Sequence, residues 1–92
     1  MRESTISKQD GWGAGSAFAM AVGLTLRAER TRARISQRAL AGPFSSGFVS
    51  RVELGDALPS LPALAYFAER LGLTLGEFFQ RVSERLDAPG AA

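Results

Sequence analysis

From Ser16 onward apolar residues return every three or four positions, and nowhere do they alternate with polar ones, so the chain predicts helices and no strands. Ser16 is a cap for a first helix whose inner stripe is mainly Phe18, Val22 and Leu26, continued by Glu29 and Ala33 and flanked by Ala21 and Thr25. Ser36 caps a short second helix, Gln37 to Ala41, which Gly42-Pro43 terminates. Ser45 caps a third helix through about Glu53, stopped by Gly55. Ser60 opens a fourth, striped by Leu61, Leu64, Phe67/Ala68 and Leu71, with Gly72 at its end. Thr74 and Glu77 form a T-x-x-E capping box for a fifth helix carrying Leu75, Phe78, Phe79, Val82 and Leu86. The expected fold is all-α, a compact five-helix bundle.

The flanks read differently. Gly11, Gly13 and Gly15 around Trp12 argue against a helix, so residues 1–15 are expected to be a disordered N-terminal segment. Residues 16–87 make the domain, and 88–92 a disordered tail. Ninety-two residues suit one small core. The second and third helices, joined by a turn of about four residues, have the form of a helix-turn-helix unit.

Composition removes whole classes of chemistry. Cys and His are both absent, which excludes disulfides, thiol nucleophiles, an imidazole base and ordinary zinc sites. No motif gathers the remaining Ser, Asp, Glu and Arg into a catalytic arrangement. The expectation is no enzyme, no metal and no cofactor. No apolar run reaches the ~20 residues of a membrane span. The apolar run Ala17 to Leu26 lies behind sixteen residues of mixed charge and leads straight into Arg27, unlike a signal peptide. A cytoplasmic protein without membrane contact is expected.

Charge adds direction. Residues 27–51 carry Arg27, Arg30, Arg32, Arg34, Arg38 and Arg51 against Glu29 alone, a net of +5. Residues 53–92 carry Arg70, Arg81 and Arg85 against Glu53, Asp56, Glu69, Glu77, Glu84 and Asp87, a net of −3. A basic centre beside an acidic tail implies one surface that faces a polyanion.

The stretch Ser36-Gln37-Arg38-Ala39-Leu40-Ala41, then Phe44-Ser45-Ser46-Gly47-Phe48-Val49-Ser50-Arg51-Val52-Glu53-Leu54-Gly55, resembles the Cro/lambda-repressor-like (xenobiotic-response-element type) helix-turn-helix family. Pro59-Ser60 and Leu64-Ala65, with Leu71-Gly72, continue the pattern, and Val22-Gly23, Leu26-Arg27 and Arg30 match its first helix. The resemblance covers roughly residues 20–80. It implies a lambda repressor-like DNA-binding domain whose third helix enters the major groove. On the residues themselves, Leu40, Ala41, Phe44, Val49 and Val52 are expected to point inward. Ser45 caps the third helix and is itself among the expected DNA-binding residues, with Ser46, Gly47, Ser50 and Arg51 on the outer face.

Carried over residue by residue, the resemblance gives Gln37 a phosphate contact and Arg38 a phosphate contact or none. It faces Ser46, Gly47 and Arg51 toward base edges and Ser50 toward backbone or base. Arg51 is the strongest candidate for direct readout, since Arg paired with guanine is the commonest specific contact. It also implies a semi-buried ion pair between Arg30 and Glu53 that ties the first helix to the third. Two departures stand out: the stretch from Ser36 to Gly55 is two residues shorter than the commonest spacing, and Arg34 occupies the place of a helix-ending glycine.

The expected function is a sequence-specific double-stranded DNA-binding transcriptional regulator of bacterial type. It is expected to act as a homodimer on a near-palindromic operator, with Phe79, Val82 and Leu86 either as the stripe between copies or folded back onto Phe18 and the first helix. Effector control would fall to a regulatory protein partner or to dimer dissociation. The alternative is a helical protein-interaction module, antitoxin-like or adaptor, that keeps the fold. Apolar residues on the outer face around Ser46–Arg51 would favour it, and Phe48 is the position that decides.

Overall fold

In the computed structural model, which describes residues 11–87, helix starts are written by hydroxyl groups. The Ser16 hydroxyl accepts from the Ala19 N–H at 3.1 Å, Ser36 from Ala39 at 3.0 Å, Ser45 from Phe48 at 3.0 Å and Ser60 from Ala63 at 3.2 Å. At the fifth start the Thr74 N–H donates to Glu77 Oε1 at 2.8 Å, and the Glu77 N–H to Thr74 Oγ1 at 3.0 Å. The helices so opened are α1 (Ala17–Arg32), α2 (Gln37–Ala41), α3 (Ser46–Glu53), α4 (Leu61–Arg70) and α5 (Leu75–Asp87). Among the described residues no strand occurs. The fold is the all-α helical bundle expected.

One core holds the bundle together. Val22 and Leu26 of α1, Leu40 of α2, Val49 and Val52 of α3, Phe67 of α4, and Phe78 and Val82 of α5 are sealed from solvent. α1 packs on both α3 and α5, α2 on α3, and α4 bridges α2 and α5. Phe18 is only half-buried; Ala19, Ala21 and Thr25 fill the positions around Val22. Leu61, expected on an inner stripe, is 61% exposed, and Leu86, at the far end of the α5 stripe, is 41% exposed. Both lie in the end turns of their helices, where fewer neighbours reach them.

For Val82 the structure decides between the two expectations for the fifth helix. That residue is part of the core, beside the half-buried Phe79, so the α5 stripe is spent largely within the chain. Nearby, Arg81 reaches Glu29 at 2.9 Å and Arg32 approaches the same carboxylate at 3.6 Å, so an acid on the apolar face of α1 is matched across the α1–α5 contact.

The termini expected to be disordered fall mostly on residues 1–10 and 88–92, outside the described residues. The stretch just before α1 is tied to the fold. The Gly15 N–H donates to Gly55 O at 2.7 Å, the Ser16 N–H to Gly13 O at 3.1 Å, and the Trp12 ring meets Phe18 edge-on at 5.6 Å.

α1 ends in a Schellman arrangement. The Ile35 N–H donates to Arg30 O and the Arg34 N–H to Thr31 O, both at 3.1 Å, with Arg34 at φ 61. Arg34 therefore keeps the left-handed backbone that glycine normally supplies. Arg34→Gly is expected to stabilise the domain by about 0.5–1 kcal/mol, the left-handed penalty less the entropy glycine adds to the unfolded chain. A thermal melt of the variant checks it, and the transition should rise by a few degrees.

Candidate nucleic-acid interface

The unit that presents α3 is built from the turn outward. Leu40 and Ala41 bury the end of α2 against Val49 and Val52 of α3. Gly42 then takes φ 57 and ψ −120, and the Phe44 N–H closes onto Ala41 O at 2.9 Å. A side chain at Gly42 would strike the Tyr66 hydroxyl, so the tight turn needs a glycine for space as well as for conformation. Arg70 of α4 clasps the same corner, donating to Ala39 O at 2.8 Å while its guanidinium lies 5.7 Å from the Tyr66 ring.

Phe44, expected to point inward, is instead 37% exposed. The shortened turn keeps it at the surface, where its ring still meets Phe67 at 5.4 Å, Phe48 at 5.7 Å and Tyr66 at 5.8 Å. Phe48 turns toward Phe67, with ring centroids 6.3 Å apart. It belongs to this aromatic cluster and is half-buried, so it does not form an outward apolar patch.

With Phe48 turned in, the outward side of α3 is polar and basic. Ser46, Gly47 and Arg51 are exposed and Ser50 is half-buried. Ser45 and Ser46, together with the exposed Arg38 of α2, line an open groove of about 360 Å³ beside the turn. Three of the sequence-derived contact residues are thus gathered at one corner, and Arg51 stands one turn further along α3.

Gln37 is placed otherwise. Its side-chain amide donates to Glu53 Oε1 at 2.9 Å, in the same carboxylate that accepts Arg30 Nε at 2.6 Å and Arg30 Nη2 at 3.0 Å. Arg30 Nη1 continues to Ile35 O at 2.9 Å. A single carboxylate therefore ties α3 to α1, α2 and the connection between them. Its hydrogen bond holds the Arg30 pKa above its ordinary value against the opposing pull of desolvation, so the guanidinium stays charged.

Two further residues matter, Gly23, which the sequence marks only as part of the first-helix pattern, and Tyr66. Gly23 lets α1 close directly onto the last carbonyls of α3, and Tyr66 walls the turn. A glycine inside an apolar helical stripe was the available signal for the first. For Tyr66 no local signal exists, because its role depends on where α4 lies.

A helix-turn-helix domain model matches residues 21–78, which takes in every helix of this unit. The chain belongs to the helix-turn-helix domain family, a DNA-binding fold of transcriptional regulators. Solved structures agree. A structure of the clp gene regulator ClgR from Corynebacterium glutamicum superposes with a TM-score of 0.68 at 26% identity, covering 72% of each chain. A second ClgR structure gives 0.71 at 24% identity over 78% of this chain and 96% of that one, a likeness of fold. The apo form of ComR from S. thermophilus gives 0.64 at 28% identity over 75% of this chain, although only 26% of ComR is covered. No curated protein sequence matches the chain.

Proposed function

We propose that the chain is a sequence-specific regulator that reads double-stranded DNA with α3 in the major groove. The observation that carries this reading is the outward side of α3, where Ser46, Gly47 and Arg51 are exposed while Phe48 is turned onto Phe67. The interaction-module alternative calls for apolar residues on that side. Similarity to ClgR, described as a gene regulator, supports the same reading. Arg51 reads a base edge, with Ser46 and Ser50 beside it. Arg38 and Ser45 meet phosphates across the corner groove, and Gln37 contributes mainly by holding Glu53. The protein works in the cytoplasm as a homodimer on a near-palindromic site, its half-sites about one helical turn apart. With Val82 in the core, the contact between copies falls to other exposed apolar residues, such as Leu54 and Leu61.

Selection from a random duplex pool tests the reading, with sedimentation of the free and bound protein giving the stoichiometry. Affinity for the selected duplex should fall with salt at a slope of about −0.9 per phosphate neutralised. Arg51→Ala should cost about 1–3 kcal/mol on that duplex and relax the choice at one base pair per half-site. Arg38→Ala should weaken every duplex by a similar factor and leave their ranking intact. An unchanged preference for Arg51→Ala, with a flatter salt slope, would move that side chain to the backbone, and no binding to any duplex would end the reading.

A further inference from the structure

Gly47 poses a question that the fold itself does not answer. It is the second residue of α3, with a helical backbone, and a Cβ built there meets only Ser45 Oγ, at 3.8 Å. Neither conformation nor packing requires a glycine, and alanine would be the better helix former. Its neighbours on the exposed side are also short. Ser46, Gly47 and Ser50 leave the first half of α3 without a long side chain until Arg51. A helix facing only water gains from long charged residues at such positions.

α5 shows that ordinary case. Gly76 is likewise the second residue of its helix, exposed, with only Thr74 Oγ1 at 3.8 Å from a built Cβ. Around it, however, Glu77, Gln80 and Glu84 cover the surface with long polar side chains. The two glycines are equivalent within the protein and differ in the surface they belong to.

We infer that Gly47 marks a close-approach position, where the bound duplex comes against the α3 backbone itself and leaves no room for a Cβ. This inference rests on the DNA-reading role of α3 proposed above and adds how it engages the duplex. The bare backbone at Gly47 sets the depth of insertion, and that depth brings Arg51 within reach of a base edge. Loss of glycine at this one position therefore costs recognition while improving the helix, a sign opposite to that of a structural glycine.

Gly47→Ala and Gly76→Ala, each in the full chain, separate the two roles. Both variants should melt at or a few degrees above the wild type, because each gains helix propensity and loses no contact. On the duplex selected by the wild type, Gly47→Ala should bind about tenfold more weakly or worse, since an added methyl at a packed contact forces its neighbours apart. Gly76→Ala should bind as the wild type does. Gly47→Ala binding within twofold of wild type, or tighter, overturns the close approach while the wild type's own binding keeps the DNA reading intact. A wild type that selects no duplex overturns both together. A Gly47→Ala that loses binding only because it has unfolded would show in the melt and would equally overturn the inference, which requires a folded variant.

Discussion

Glu53→Ala is expected to destabilise the domain by about 3 kcal/mol, a drop of roughly 15 °C in melting temperature. The carboxylate is almost wholly buried, its side chain 4% exposed, and the Arg30 side chain is 14% exposed. Removing one partner leaves the other charged in a place water reaches poorly. That stranded charge, more than the lost attraction, makes the effect large. The cost falls at the lower end of the range for buried pairs because the edge of Arg30 still meets solvent. Gln37 loses its acceptor in the same step, so α2 loosens as well. Arg30→Ala and the double variant complete a cycle in which the coupling should be about 2 kcal/mol. The Arg30 pKa is raised in the folded state, so its contribution is fully present below the ordinary arginine range and is lost only as pH rises through the raised value. Titration of Arg30 therefore adds no pH dependence between acid and neutral conditions. A coupling near zero would mean that α1 and α3 are held by apolar packing alone.

How much of this was legible in the sequence depends on how far each determinant reaches along the chain. The helix starts were legible because a capping serine acts on an N–H three residues away, and every one of Ser16, Ser36, Ser45 and Ser60 does so. Arg34 in the place of a helix-ending glycine was legible, and the left-handed backbone it takes there is local to that turn. Phe44 was misread because its burial depends on the length of the turn and on where Tyr66 and Phe67 of α4 come to lie. The sequence leaves the place of Val82 open for the same kind of reason. A helical stripe says which side is apolar but not whether a neighbouring helix or a second copy covers it. The outward residues of α3 followed from helical geometry alone, whereas the bond from Gln37 to Glu53 joins residues in different helices and has no signature in either.

The second large effect is expected at Gly23, where Gly23→Ala should cost about 3 kcal/mol or more. Its position in α1 lies against the end of α3, and a built Cβ would come 2.7 Å from Glu53 O and 2.9 Å from Glu53 C, with Val52 O in contact as well. These are backbone atoms, and they are held in place. The Leu54 N–H donates to Ser50 O and the Gly55 N–H to Val52 O, both at 3.0 Å, while the Glu53 side chain is anchored on Arg30. α1 cannot back away without opening the layer that seals Val22 and Leu26 and stretching the Arg30–Glu53 pair. Alanine in a helix otherwise gains up to about 1 kcal/mol over glycine, so the sign of the change is itself informative. Overpacking must exceed that gain for the variant to melt lower, and an immobile backbone neighbour makes it do so. Because the displaced element is α3, the variant should also bind the selected duplex more weakly at temperatures where it remains folded. Thermal melts of Gly23→Ala beside Gly47→Ala give opposite signs if α1 sets the seat of α3 and Gly47 only its approach to DNA. A Gly23→Ala that melts at or above the wild type would mean that the two helices separate without cost, and that the close contact at Gly23 does not position the reading helix.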